Sequence, residues 1–537
     1  MYNWGGDIID QIFTHTFFTV KKTFVFLVFI FFAPLVKGQV TFQKACGGSS
    51  TDWGFCSQQT TDRGYITVGK TQSAGAGQED VSLIKFDSVG SIVWSKTYGG
   101  LDSESGVSVQ QTIDGGFIIV GDCYSFGTGF IDILLLKTDA NGNLQWSKTF
   151  GESLEERGRS VRQTSDGGFI IVGSIQSFMF GGFNTYLIKT DAIGNLLWTK
   201  SIGLINADYG NCIQETTDSG FIIVGTWQSP SLEEVYVIKT DALGNILWTN
   251  AYGFIQYDYG EYIEQTTDGG YIIAGSTQGF GLSELFLLKI DGLGNYQWAK
   301  KIGDNCSANC VRQTSDGGYV FSGFVAEDFA STALNVLLAK TDSLGDLVWS
   351  YSYGGPGYTD DEGVSFQKTN DLGYVITGYT KSFGSGLNDL YLIKTDSLGI
   401  ANCNQNTIIM NNISVIPSPP TSSPTPSFVN SEGITTSPTL QVGIGSFSTT
   451  ICSSGINYPP DSSANISATI SSGLFVFSNL AVGDNVEIFN ATGQLVARPS
   501  VSGSVQVVDL TSKSKGVYFY RVFSGTEIIL NGKIILQ

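Results

Sequence analysis

An aspartate set in a turn of the T-x-D-G-G kind recurs through this chain at Asp62, Asp114, Asp166, Asp218, Asp268, Asp316 and Asp371, in steps of 52, 52, 52, 50, 48 and 55 residues. A lysine follows each one, at Lys85, Lys137, Lys189, Lys239, Lys289, Lys340 and Lys394, and Trp94, Trp146, Trp198, Trp248, Trp298 and Trp349 mark six of the seven units. A fixed period near fifty residues is the signature of a repeat architecture, so any candidate site has to be placed on the repeat first.

Each unit holds four short runs suited to strands. In the second they are V-S-V-Q-Q-T (107–112), F-I-I-V-G (117–121), I-L-L-L-K-T (133–138) and L-Q-W-S-K-T-F (144–150). β-branched and aromatic residues fill these runs, and Gly, Asn and Asp separate them, which is turn chemistry because those residues tolerate positive φ. Four strands in each of seven units predicts an all-β chain built on a seven-bladed β-propeller, with an open solenoid of the same units as the alternative. The segment T-F-Q-K-A-C-G-G (41–48) aligns with V-W-S-K-T-Y-G-G (93–100), placing Phe42 where the tryptophan stands elsewhere. The seventh unit loses the repeated phrase at I-A-N-C, so 41–46 is expected to supply its missing fourth strand, beside 390–395, and to tie the two ends together.

Around the repeats, composition divides the chain. Lys21 and Lys22 precede the apolar run 23–35 and small residues near position 38, so 1–38 reads as a secretory signal, with 1–20 as an over-long start. The apolar run is shorter than the roughly 20 residues that span a bilayer, so no membrane span is expected after cleavage. Residues 39–403 carry the repeats. Residues 404–463 include S-V-I-P-S-P-P-T-S-S-P-T-P-S (414–427), whose Ser, Thr and Pro content predicts an extended linker without a packed core. Strand patterns return in 464–537 and predict a small β-sandwich.

The formal charge of −19 sets the chain against polyanions, so neither nucleic acid nor an anionic membrane surface is an expected partner. His15, the single histidine, lies inside the signal. The mature chain therefore has no imidazole for a Ser-His or Cys-His nucleophile or for a His-ligated metal, and no cofactor or metal is expected. Cys56, Cys212 and Cys310 share one slot of the first strand and read as small buried side chains. Cys306 with Cys310, and Cys403 with Cys452, are candidates for disulfides in a secreted chain. Carboxylates remain as possible catalysts, in the clusters Asp360, Asp361 and Glu362; Glu155 and Glu156; and Glu233 and Glu234. In an acidic protein such clusters also read as a solvated rim. The seven lysines are expected to pair with the turn aspartates as exposed ion pairs.

The D-x-x-G-x-x-x-W phrase, as in Asp191 to Trp198, resembles the tryptophan-docking motif of pyrroloquinoline-quinone-type propellers. That resemblance implies a blade whose tryptophan packs on its neighbour, and it implies no quinone, because the adjacent cysteines of those quinoproteins are missing. The T-x-D-G-G turn is similar to the aspartate box of sialidase propellers but lacks its Ser and terminal Trp. The last 75 or so residues, with T-G-Q-L-V, G-V-Y-F-Y-R-V and the ending at 533–537, resemble the type A sorting domain of the Bacteroidetes type IX secretion system, although the usual Pro-Asn-Pro entry is absent. This implies handling by the type IX machinery and an extracellular or outer-membrane-surface location. The D-S-V and D-S-L triplets at Asp87, Asp342 and Asp396 resemble the O-glycosylation acceptors of that phylum.

With antiparallel strands, the Asp-Gly-Gly and Asp-x-x-Gly turns fall on one face, and the variable connections on the other. Binding residues concentrate on loops held by a rigid scaffold. Exposed aromatics beside carboxylates suit sugars or a protein partner. Trp53, Tyr209, Trp227, Tyr257, Tyr259, Tyr358 and Asp360 are therefore the expected ligand-binding residues. The leading expectation is a binding or adhesion module for an extracellular glycan or protein, with no catalytic residues assigned. A carboxylate-dependent glycan-active enzyme and a structural surface protein are the alternatives.

Overall fold

The computed structural model describes residues 39–417, except 178–181, 204–205, 229–231, 255–256, 280–281, 327–332 and 357–358, together with a series of strands beyond 417. The signal segment 1–38 and Tyr358 lie outside the described residues. Among the described residues there are strands and turns but no helix, as runs rich in Val, Ile, Phe and Tyr broken every dozen residues by Gly and Asp require. The first strands of the successive units are Asp52–Gln59, Glu104–Gln111, Glu156–Gln163, Asp208–Glu215, Tyr257–Gln265, Cys306–Gln313 and Asp361–Lys368. Each opens an antiparallel meander in which strand pairs with following strand, as in the third unit, where Val161 faces Ile171, Ile171 faces Ile188 and Ile188 faces Thr199. Parallel bridges join consecutive units: Thr51 with Asn388, Glu79 with Ser103, Ile131 with Glu155, and Glu233 with Tyr257.

The seventh unit contributes three strands of its own, and Thr41–Gly47 adds the fourth. It pairs antiparallel with Asp389–Thr395, setting Phe42 opposite Lys394 and Cys46 opposite Leu390, the pairing that the repeat alignment predicts. Phe42 then does what the tryptophans do. Each Trp ring lies over the glycine of the Asp-x-x-Gly turn in the next unit. A Cβ at Gly142 would fall 2.7 Å from the Trp94 ring, and one at Gly90 would fall 2.8 Å from the Phe42 ring. The same contact links Trp146 to Gly194, Trp198 to Gly244, Trp248 to Gly294, Trp298 to Gly345 and Trp349 to Gly399. These glycines have positive φ, so both the turn and the ring exclude a side chain there. Each ring also meets an aromatic of the next unit, as Trp94 meets Phe117 at 6.0 Å and Phe42 meets Tyr65 at 5.8 Å. Such pairs contribute about 0.5–1.5 kcal/mol each beyond their buried area.

The same end of each meander is locked by the turn aspartate, since Lys85 pairs with Asp62 and stands opposite Trp94. In the fourth unit the Asp218 carboxylate accepts from the Thr216 hydroxyl, from the Gly220 N–H at 3.0 Å and from Lys239 Nζ at 3.0 Å, while Lys239 also donates to the Thr240 carbonyl at 2.9 Å. All seven lysines pair with their turn aspartates. Exposed pairs are what the sequence predicts, and in this respect the structure differs. Six of the lysine side chains are no more than 7% exposed, with only the aspartates reaching solvent. The stem packs inside the layer between units, and a carboxylate and a carbonyl replace water around the ammonium. A Cβ at Gly220 would fall 2.2 Å from the Thr240 carbonyl oxygen and 2.5 Å from Lys239 Nζ, so the backbone of the third strand fixes that glycine.

The segment beyond 403 departs most from expectation. Its described strands do not leave it as a free linker. Gln405–Thr407 pairs with the outer strand of the sixth unit, Asn412–Val415 with that of the fifth, Ser427–Val429 with the third, Ile434–Thr436 with the second and Gln441–Gly443 with the first. Phe447–Ser454 then pairs with Thr41–Gly47 of the seventh. The physical reason is that an outer strand presents a row of unpaired N–H and C=O groups, which any extended backbone can satisfy whatever its side chains. Beyond it, Ser467–Ser471, Leu474–Ser478 and Val505–Asp509 form one antiparallel sheet. A second contains Leu495–Ala497, Asn485–Asn490, Gly516–Ser524 and Glu527–Leu536.

The cysteines divide accordingly. Cys403 is disulfide-bonded. The backbone of Cys452 lies opposite Gln43, whose Nε2 donates to the Cys403 carbonyl at 2.5 Å; the Cys452 side chain is outside the described residues. The local disulfide expected between Cys306 and Cys310 is absent, since both are free thiols. Four residues apart on one strand, their α-carbons stand about 13 Å apart, beyond the roughly 7 Å that a disulfide spans. Burial pushes both thiols up to about 12. Cys56, Cys212 and Cys310 do occupy one slot, opposite Val68, Val224 and Ser322.

Candidate functional site

Every first strand has a register shift just after its glycine, or after Ala308 in the sixth unit. A Cβ at Gly158 would fall 2.7 Å from Val120 of the preceding unit, and one at Gly54 would fall 2.7 Å from Thr377 of the seventh. The glycine lets neighbouring units approach, and the bulge turns the next side chains toward a cavity of about 1000 Å³ lined by the first strands of all seven units.

Two rows of side chains describe its wall. One contains Phe55, Val107, Arg159, Asn211, Glu261, Asn309 and Val364, apolar beside the seventh, first and second units and polar beside the others. The other contains Gln58, Gln110, Arg162, Glu264, Arg312 and Gln367. Six cationic side chains line the cavity against five acidic ones, in a chain of formal charge −19, and four of the chain's seven arginines are among them. Arg157 pairs with Glu155 at 2.5 Å and with Asp122 at 3.6 Å. Arg312 pairs with Glu264 at 2.9 Å and stacks over the Tyr262 ring at 4.6 Å. It keeps 20% of its side chain accessible, as suits a group deep in the molecule but on the wall of an open lumen. Burial pushes the Glu261 carboxyl up, with Arg159 acting against it. The sequence signal for this wall is R-G-R-S-V-R-Q (157–163), where the second unit has S-G-V-S-V-Q-Q.

The residues expected from sequence fall into two patches rather than one. Tyr209, Tyr257 and Tyr259 gather around Glu233. Tyr257 pairs with it in register, Tyr259 is hydrogen-bonded to it, and Tyr209 lies within its field and against Phe183 at 5.4 Å. Burial and then the Glu233 carboxylate push the Tyr259 hydroxyl up. Trp53 belongs to the other patch, stacked on Tyr379 at 4.6 Å with Lys70 over its ring at 5.1 Å. Asp360 lies near Tyr379 and pairs with Lys381 at 2.6 Å. Trp227 corrects the expectation of an exposed loop aromatic. It stands between Asp208 and Glu234 in the ladder, is 8% exposed and packs in the core, because strand alternation turns it inward.

Two of the candidate catalytic carboxylates are engaged in holding loops. Asp361 accepts from the Gly355 N–H at 3.0 Å and the Ser382 hydroxyl at 2.6 Å, and Glu156 accepts from the Glu152 N–H at 3.0 Å. Both are fully buried, so neither offers an oxygen to a substrate at the surface. Burial, reinforced by Asp132, pushes Glu156 up to about 8. Among the described residues no group of three or more His, Cys, Asp and Glu is placed to hold a metal ion, and no helix is long and apolar enough to cross a membrane.

Residues 459–537 match the secretion system C-terminal sorting domain. This domain marks proteins exported to the cell surface or extracellular space through the type IX secretion system. The regulatory protein FlaEY of Caulobacter vibrioides is 26% identical over 168 residues, a stretch that covers 26% of this chain and 18% of FlaEY, so the chain spans less than a fifth of that relative. Among solved structures, Sqt1 of Chaetomium thermophilum is 10% identical with a TM-score of 0.36, over 66% of this chain and 97% of that one. PorZ, a surface component of the type IX secretion system of Porphyromonas gingivalis, is 10% identical with a TM-score of 0.33, over 88% of this chain and 57% of PorZ. Scores this low add nothing about fold or role.

Proposed function

We propose that the chain is a secreted or surface-displayed seven-bladed β-propeller, residues 39–403, that binds an extracellular glycan or protein and is exported by its C-terminal domain through the type IX machinery. Ring closure is supported by contacts that return from the seventh unit to the first. Phe42 packs over Gly90, and the Asn370 N–H of the seventh unit donates to Gln59 Oε1 of the first at 2.7 Å, just as the Thr61 N–H of the first donates to Gln111 Oε1 of the second. An open solenoid would separate those partners.

The observation that carries the binding reading is the lumen. All seven first strands meet there, and their wall residues change from unit to unit while the turns at the other end do not. The two aromatic patches, around Glu233 and around Tyr379, extend the same variability to the loops. A glycan array and an extracellular protein panel probed with the purified mature chain test this reading. Saturable binding without turnover supports it, released product favours the carboxylate-dependent enzyme, and silence on both favours a structural surface protein.

A further inference from the structure

The wall row that holds Arg162 and Arg312 is a ring of hydrogen-bond donors whose acceptors are already used. Gln58 Oε1 accepts the Gln111 N–H at 2.5 Å, Gln110 Oε1 accepts the Gln163 N–H at 2.7 Å, and Gln367 Oε1 accepts the Gln59 N–H at 2.7 Å. Because each donor is a backbone N–H, the amides cannot be turned round, and each NH2 group is left on the lumen wall without a partner among the described residues. Glu264 is engaged as well, accepting the Gln313 N–H at 3.2 Å and pairing with Arg312. Among the described residues the Arg162 guanidinium donates to the Val161 carbonyl at 2.7 Å and to no other group, and Arg312 Nε is buried without a partner. The two guanidinium groups repel each other, and both lie within the field of Tyr262, with Glu264 the carboxylate that acts on Arg312. Two cations, three fixed amide donors and one spent carboxylate make the complement of an oxyanion, the partner that guanidinium groups hold with charge-assisted bonds.

We propose that this row binds an oxyanion, either free phosphate or sulfate or the carboxylate of a ligand that enters the lumen. The row above would hold the rest of such a ligand, with Phe55, Val107 and Val364 against its apolar side and Asn211, Asn309 and Glu261 against its hydroxyls. The inference rests on the lumen of the binding reading and names the chemistry it takes.

Calorimetric titration of the mature chain at low ionic strength with sodium phosphate, sodium sulfate and sodium glucuronate, and with glucose as control, tests it. One equivalent of at least one oxyanion is expected to bind saturably, and glucose is not. Arg162→Gln installs the residue that Gln58, Gln110, Gln214 and Gln367 already place in this slot, so the fold tolerates it. Affinity is expected to fall at least tenfold, while the unfolding midpoint without anion stays level or rises as the repulsion is relieved. Arg162→Lys, which keeps the charge and loses the planar fork, is expected to fall between the two. Tightest binding of glucuronate identifies a carboxylated ligand, and tightest binding of phosphate or sulfate identifies a free anion. No saturable heat with any of the three, or equal affinity in Arg162→Gln, overturns the proposal. A chain that bound a glycan or protein in the absence of any oxyanion heat would keep the binding reading and lose this one.

Discussion

The two ends of the first strands obey different rules. At the turn end a threonine hydroxyl, a glycine N–H and a lysine meet the aspartate carboxylate in every unit, and the lysine is buried in six of the seven. On the lumen wall, a few residues earlier on the same strands, one slot is filled by Phe55, Val107, Arg159, Asn211, Glu261, Asn309 and Val364. The contrast follows from what each side chain is asked to do. A turn residue closes a loop and seats its unit against the next, so a change there is felt in two units. A wall residue faces solvent, and packing leaves it free to differ.

The largest effect should come where the scaffold is joined. Phe42 is fully buried and is the single ring seating the N-terminal strand on the first unit. Phe42→Ala is expected to cost about 3–5 kcal/mol in urea unfolding, comparable to Trp94→Ala at an internal junction. A loss below 1 kcal/mol would show that the junction between first and last units matters less than the others. Reduction of the Cys403 disulfide comes next, at about 2–4 kcal/mol, because it anchors the segment that runs along the outer strands. A reductant that leaves the unfolding midpoint unchanged would mean that those edge pairings hold without it. Smaller again is Asp218→Asn, which keeps one acceptor oxygen but leaves the buried Lys239 ammonium without its carboxylate counter-charge; about 1.5–3 kcal/mol is expected.

Much of this scaffold was legible in the sequence. The period gave the units, the alignment of 41–48 with 93–100 gave the fourth strand of the seventh unit, and the common spacing of Asp and Lys gave their pairing. The depth of the lysines was not legible, because spacing says which groups meet and not how much protein surrounds them. The path of 405–454 was hidden for a different reason. Composition reports whether side chains can build a core, whereas these strands are held by backbone groups along an edge. For the candidate site, the sequence put Tyr209, Tyr257 and Tyr259 in one set with Trp53, Trp227, Tyr358 and Asp360 and gave no sign of which would meet, and Trp227 was misplaced by a one-residue question of strand face. The arginine triplet 157–162 stood in plain view, yet its direction depends on the bulge after Gly158, which no local pattern of side chains reveals.

The same division sets two opposed pH limits. At the turn face, burial disfavours the Asp218 and Asp268 anions, but bonds from threonine and lysine outweigh it and bring both to about 2. A carboxyl held below its ordinary value contributes stability that is present above that value and lost as pH falls toward 2. Glu156 runs the other way. Burial, with Asp132 beside it, holds the proton to about pH 8, so the folded chain loses stability as pH rises from about 4.5 to 8, by at most about 1.4 kcal/mol per unit. Glu156→Gln is expected to flatten that alkaline limb and leave the acid limb untouched. Parallel unfolding curves for the two proteins between pH 5 and 9 would rule Glu156 out as its source.

The smallest effect on stability should accompany a large one on function, and Tyr257 is where the two separate most cleanly. It is 46% exposed, lies at the start of its first strand beyond the bulge, and faces Glu233 across the junction of the fourth and fifth units. Among the described residues no aromatic ring is paired with it as Tyr65 is with Phe42, so Tyr257→Ala should change unfolding free energy by no more than about 0.5 kcal/mol. If the patch of Tyr209, Tyr257 and Tyr259 is where a ligand leans as it enters the lumen, the same substitution should weaken binding of a confirmed ligand at least about tenfold, since exposed tyrosines supply much of the contact energy of such surfaces. Asp218→Asn, at the far end of the strands, should weaken binding only as far as it unfolds the chain. A ligand indifferent to Tyr257→Ala but lost in a still-folded Asp218→Asn would reverse the assignment, placing function on the repeated face and making the variable one a consequence of relaxed packing alone.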